Sequence, residues 1–146
     1  MKTSIILLSL IMLASCASNG QVALKATSRP VNLERFMGDW YVVGFIPIDN
    51  LLISEAGAHN AIESYVLAPD GRIKTTYSFR DGAFEGPLRE YHPTGFVHDR
   101  ITNAEWRMQF LWPFKSAYLI AHVDETYSST IIGVPDRSNV WLMTRT

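Results

Sequence analysis

Tyr77 and His122 are the side chains of this sequence that could move a proton inside a cavity, and neither stands in a convincing acid–base pair. His59, His92, His98 and His122 share no metal-ligand spacing, so no metal is expected. No Gly-x-Ser-x-Gly nucleophile elbow is present. The one cysteine, Cys16, directly follows an apolar leader, where the expected chemistry is lipidation rather than catalysis. These residues point away from an enzyme, and no cofactor is expected.

The leader is Lys2 followed by the apolar run Ile5 to Met12, which is of secretory length and too short to span a bilayer stably. It ends in Leu13-Ala14-Ser15-Cys16, which resembles the bacterial lipobox. Residues 1–15 are therefore expected to be a lipoprotein signal peptide, and Cys16 the acylated membrane anchor. Ala17 and Ser18 follow where an Asp would resemble an inner-membrane retention signal, which favours the outer membrane, on its periplasmic face. Residues 16–30 are polar and small, and read as a flexible tether.

Behind that leader a domain over 31–146 must be positioned by strands. The 13 Lys and Arg against 14 Asp and Glu leave no basic patch for nucleic acid. Without residues 1–15, which hold one Lys and no acid, 12 basic side chains face 14 acidic ones. Short runs rich in Val, Ile, Tyr, Phe and Trp alternate with Gly, Pro, Asn and Asp at intervals of about ten residues, the pattern of an antiparallel barrel or sandwich. Candidate strands lie at about 39–47, 60–68, 71–80, 86–92, 94–100, 104–112, 116–124, 127–134 and 139–145. The fourth and fifth read as one strand bent at Pro93, which makes eight. Ile73, Thr75, Tyr77 and Phe79 share one face; so do Trp106, Met108 and Phe110. Periodicity alone does not separate a hollow barrel from a filled sandwich.

Gly38-Asp39-Trp40 opens the first strand and Leu142-Met143-Thr144-Arg145 closes the last. Between them, Phe110-Leu111-Trp112-Pro113-Phe114 and the run Tyr118 to Asp124 fall in the matching order. Over about Val31 to Thr146 these blocks resemble the lipocalin family, nearest its bacterial outer-membrane lipoproteins and apolipoprotein D relatives. The resemblance implies an all-β, eight-stranded antiparallel up-and-down barrel that holds a small apolar molecule. It implies that Trp40 plugs one end, with Gly38 turning the chain tightly into the strand and Arg145 packed across the ring. It also implies a 3₁₀ turn before the first strand. Two departures stand out. The family follows its Trp-Tyr with an acidic and a basic residue; here Val42-Val43-Gly44-Phe45 follows, so the cavity floor is expected to be more apolar. The family also continues past its closing Arg into an α-helix, which is expected to be missing here because the sequence ends at Thr146. The barrel face left bare would be an association surface, with a homodimer as one outcome.

The expected ligand wall is Val42, Ile73, Thr75, Tyr77, Phe79, Trp106, Met108, Phe110 and Tyr118. Apolar with a few hydroxyls, it suits a fatty acid or lysophospholipid better than a sugar or nucleotide. The first loop, Ile46 to Ile53, is apolar; Ile48, Leu51 and Leu52 are its expected lid residues, either meeting bilayer lipid or folding into the mouth. The function expected is a membrane-anchored carrier of small hydrophobic ligands in the bacterial envelope. The alternatives are a structural envelope lipoprotein without ligand and a lipocalin-fold isomerase or synthase.

Overall fold

The computed structural model describes residues 22–51 and 53–146. Cys16, the leader and the lid residue Leu52 lie outside the described residues.

The alternating runs form strands because every second side chain finds an interior to fill. A single helical turn, α1 (Leu33–Phe36), precedes β1 (Gly38–Ile46), β2 (Ala58–Leu67), β3 (Arg72–Asp81), β4 (Leu88–Tyr91), β5 (Thr94–Val97), β6 (Glu105–Leu111), β7 (Phe114–Val123), β8 (Ser129–Gly133) and β9 (Val140–Thr144). Each pairs antiparallel with its sequence neighbour, except that β4 and β5 both pair with β3; β9 returns to β1 and closes the ring. The ring has eight strands, with β5 carrying it on to β6 and β4 set beside β3 at one end. β4 and β5 flank His92 and Pro93, the expected bend, since Pro has no N–H for the ladder. The fold is the eight-stranded up-and-down barrel expected from the sequence.

Strand ends differ where side chains recapture the backbone. The strand expected from 127 begins at Ser129, because the Asp124 carboxylate accepts from the amides of Ser128 (2.7 Å) and Ser129 (2.8 Å) and ties 124–128 into a turn. The strand expected from 86 begins at Leu88. A β-carbon on Gly86 would lie 2.0 Å from the Asp81 carbonyl oxygen, so this tight turn requires glycine. The expected 3₁₀ turn is instead one α-helical turn: Phe36 N donates to Asn32 O and Met37 N to Leu33 O, four residues back. The Asn32 side chain caps it by accepting from Arg35 N at 2.9 Å.

Residues from Val22 onward of the expected tether lie along the barrel. Leu24 N donates to Pro135 O, Thr27 N to Ile120 O, and Ala26 packs on the core.

The up-and-down order puts the turns after β2, β5 and β7 and the end of β9 at one end, with α1 across it. The turns after β1, β3, β6 and β8 lie at the other. The first end is closed and solid. Trp40, Phe36, Tyr65 and Trp106 are all buried there, with ring centroids 5.1 to 5.6 Å apart in four pairs. Trp40 Nε1 donates to Phe36 O at 2.9 Å. The Arg145 guanidinium lies 3.8 Å from the Trp40 ring centroid and donates to the carbonyls of Asp39 (2.7 Å), Met37 (2.8 Å), Arg35 (2.9 Å) and Phe36 (3.1 Å). It therefore satisfies the last carbonyls of α1, which have no partner within so short a helix. Gly38 has φ +93°, and a β-carbon there would crowd Arg145 Nη1 at 3.3 Å.

Candidate functional site

The open end holds a cavity of about 520 Å³. This is within the usual range for one small ligand, roughly 300–1,000 Å³. A filled barrel, the expectation of the ligand-free reading, is not what the chain builds.

Its floor lies on the aromatic plug. Glu63 of β2 and Tyr77 of β3 are register partners and both point inward, joined by Tyr118 of β7 and Met108 of β6. Trp141 of β9 and the loop residues Ile53 and Glu55 line the sides. Ile48, Phe110, Ser116 and the turn from Val134 to Asn139 form the mouth.

Glu55 organises the loop between β1 and β2. Its carboxylate accepts from Ile48 N at 2.6 Å and from Trp141 Nε1 at 3.3 Å, while its own N–H donates to Ile48 O at 2.8 Å. The loop is thus folded onto the mouth by a buried acid. Ile53 is buried and Ile48 half-buried beneath it, whereas Leu51 is fully exposed at its tip.

The floor carries charge chemistry that the sequence reading did not expect. Burial pushes the Glu63 carboxyl up to about 7; hydrogen bonding with Tyr118 and Tyr65 pulls the other way, and the nearby Glu55 carboxyl adds to the rise. Glu55 is raised too, mainly by burial, against its bonds with Ile48 and Trp141 and the nearby Tyr77 hydroxyl. The Tyr65 and Tyr118 hydroxyls bond each other, and burial raises both well above the ordinary tyrosine range. Tyr77 is raised by burial and by Glu55. Its hydroxyl is buried without a hydrogen bond of normal geometry among the described residues, although it stands close enough to Glu55 for each to shift the other. The expectation of a more apolar floor is therefore corrected: β2 supplies the carboxyl that β1 lacks.

Of the expected wall, Tyr77, Met108, Phe110 and Tyr118 line the cavity. Ile73 and Trp106 also point inward but belong to the closed end, and Trp106 Nε1 donates to Asn103 O at 2.8 Å. Phe79 packs with Tyr77, Ala61 and Tyr91 along one wall, and the half-buried Val42 bridges that cluster to the main core. Thr75 is buried opposite Tyr65, and its hydroxyl lacks a partner among the described residues. These five face inward but do not line the cavity: Ile73, Trp106 and Thr75 pack with the aromatic plug beneath it, and Phe79 and Val42 with the cluster along one wall. His122 faces out and is exposed, which removes it from any chemistry in the cup. Among the described residues no group of His, Cys, Asp and Glu could hold a metal ion.

Glu55, Glu63, Ser116 and Trp141 were not anticipated. Glu63 was within reach of the sequence. The turn at Pro69-Asp70-Gly71 sets Leu67 opposite Ile73, and directly opposed residues share a face, so an inward Tyr77 requires an inward Glu63.

The open rim is apolar. Leu111, Trp112 and Phe114 on the β6–β7 hairpin, Phe84 on the β3–β4 turn and Leu51 on the lid are all exposed at this end.

Residues 31–146 match the family model of the Lipocalin-like domain. Temperature-induced lipocalin-1 of Arabidopsis thaliana is 27% identical over 130 residues, covering 80% of this chain and 63% of that protein. Outer membrane lipoprotein Blc of Vibrio cholerae is 25% identical over 143 residues, covering 93% and 79%. Its namesake in Escherichia coli K12 is 25% identical over 116 residues, covering 77% and 61%. The chain thus spans less than two thirds of the plant and Escherichia coli relatives. Among solved structures, the cockroach allergen Per a 4 superposes with a TM-score of 0.58 at 15% identity over 83% of this chain and 73% of that one. Lobster apocrustacyanin A1 gives 0.56 at 12% over 86% and 74%. At such identities these neighbours speak for the fold alone.

Proposed function

The chain belongs to the lipocalin-like family, and on that premise we propose that it is a lipid-anchored carrier of fatty acids, lysophospholipids or similar amphiphiles in the bacterial envelope. The observation that carries this reading is the cavity of about 520 Å³ above a sealed aromatic plug, with an apolar upper wall and one open mouth. Burying an alkyl chain there is favourable by about 25 cal/mol per Å² of apolar area. The headgroup sits best at the open mouth, near Ser116 and Asn139, where it reaches solvent and stays away from Glu63.

The membrane side of the proposal draws on Cys16 behind its lipobox and on relatives whose names describe outer membrane lipoproteins. The exposed rim of Leu51, Phe84, Leu111, Trp112 and Phe114 supports it independently. Exposed aromatics around an apolar opening suit contact with a bilayer interface during loading. No cofactor is required.

The test is transfer. The chain is incubated with liposomes that carry a labelled lysophospholipid, then re-isolated. The proposal expects close to one lipid per chain, with saturation. A folded chain recovered free of lipid overturns it in favour of a structural lipoprotein.

A further inference from the structure

The cavity has two buried carboxyl side chains, Glu63 on its floor and Glu55 on its side, and no basic one among the described residues that line it. Glu63 and Glu55 are both more than nine-tenths buried, and among the described residues that line the cavity there is no Lys, Arg or His. Arg145 stands across the Trp40 ring, its guanidinium committed to backbone carbonyls. A third polar group, the Tyr77 hydroxyl, is buried in the same wall without a hydrogen bond of normal geometry. A buried carboxylate with no cation nearby is costly, and an unpartnered buried hydroxyl adds to that cost. Two buried carboxyls and a buried hydroxyl facing one cavity, with no basic side chain among the described residues that line it, describe half of a site.

We propose that this floor is a cation subsite for the protonated amine of an amphiphilic amine, with Glu63 and Glu55 as its counter-charge, the Tyr77 hydroxyl as a further acceptor, and the alkyl chain running up the apolar wall to the mouth. The proposal rests on the carrier reading above and deepens it by naming the head group. An ammonium has three N–H donors and would meet three acceptors. A carboxylate head driven to the same depth would meet like charge. The groups that face Glu63 are Tyr77 from β3, Tyr118 from β7, Tyr65 from β2 itself and Glu55 from the loop. Asp136 lines the mouth above them.

The experiment is a chain-matched titration of the folded, full-length protein with dodecylamine, dodecanol and dodecanoate, followed by tryptophan emission because Trp141 lines the cavity. All three bury the same tail, so differences report the head group. At pH 8 dodecylamine is expected to bind about tenfold or more tighter than dodecanol, the worth of one charge-assisted hydrogen bond, and dodecanoate weakest. The amine stays protonated down to pH 5.5, yet its advantage is expected to shrink there as Glu63 takes up a proton. Glu63→Gln is expected to remove most of the amine's advantage over dodecanol measured with the same variant; Glu55→Gln, a partial loss of that advantage, serves if the first variant does not fold. Dodecanol and dodecanoate bound as tightly as the amine at pH 8 would overturn the subsite and leave the carrier reading standing. Failure of all three to bind would overturn both.

Discussion

The two ends of this barrel are built from similar residue types to opposite purposes. At the closed end, Trp40 and Trp106 bond backbone carbonyls, Tyr65 bonds Tyr118, and Arg145 gathers four carbonyls over the plug. Toward the open end, among the described residues, the Tyr77 hydroxyl has no hydrogen bond of normal geometry, two buried carboxyls line the cavity with no basic side chain, and large apolar side chains face solvent. The first arrangement stabilises the fold. The second costs stability, and it lies where a ligand would enter. The exposed aromatic rim belongs to the open end, while the buried hydroxyls without a hydrogen bond among the described residues are Tyr77, on the cavity wall, and Thr75, beneath it.

The largest effect that could break this comparison is at the plug. Trp40→Ala is expected to lose about 3–5 kcal/mol in chemical denaturation. A loss below about 1 kcal/mol would mean that the closed end does not hold the barrel together. The next effect belongs to the floor. Glu63 binds its proton more tightly in the folded chain, near 7, than at its ordinary value of 4.5. Its contribution to stability is therefore full below pH 4.5 and is lost as the pH rises through 7, about 3 kcal/mol in all. Denaturation at pH 5 and pH 8 should show a wild type that is less stable at pH 8, and Glu63→Gln should flatten that difference. A wild-type curve already flat over this range would contradict the buried-acid floor.

Arg145→Lys sharpens the closed end. A lysine keeps the charge but cannot fan its donors over four carbonyls or stack flat on Trp40, so a loss of about 1–3 kcal/mol is expected. Stability unchanged within error would show that charge alone suffices. The smallest effect on stability is at the rim. Leu51→Ser together with Leu52→Ser should change stability by less than about 0.5 kcal/mol, yet slow lipid uptake from liposomes. Uptake at the wild-type rate would remove the lid from loading.

The barrel was legible because its signals are local. Period-two runs such as Ile73 to Phe79, turn residues at 69–71 and 81–82, and Pro93 fixed strand number and face. Depth was not legible, because alternation tells in from out and says nothing of height along the barrel. Trp106 and Phe110 have the same parity, yet one is sealed beneath the cavity and the other is at its mouth. The acids were hidden by the expectation that buried positions are apolar. On β2 the outward face carries Ile62 and the exposed Val66 while the inward face carries Glu63, so hydropathy alone favours the wrong side. Glu55 is further from reach, since its role comes from a loop fold that brings it to Trp141, 86 residues away.

The most direct test of the central claim, that the open-end cavity is the binding site, is a titration with a fluorescent fatty acid, displaced by lysophospholipid in the same cuvette. It compares the folded chain with Ser116→Trp, whose new ring would stand in the mouth. Saturable binding at one site per chain, displaced by lysophospholipid and abolished by Ser116→Trp while circular dichroism stays that of a β-protein, is the predicted result. Equal binding by the two proteins would contradict the account.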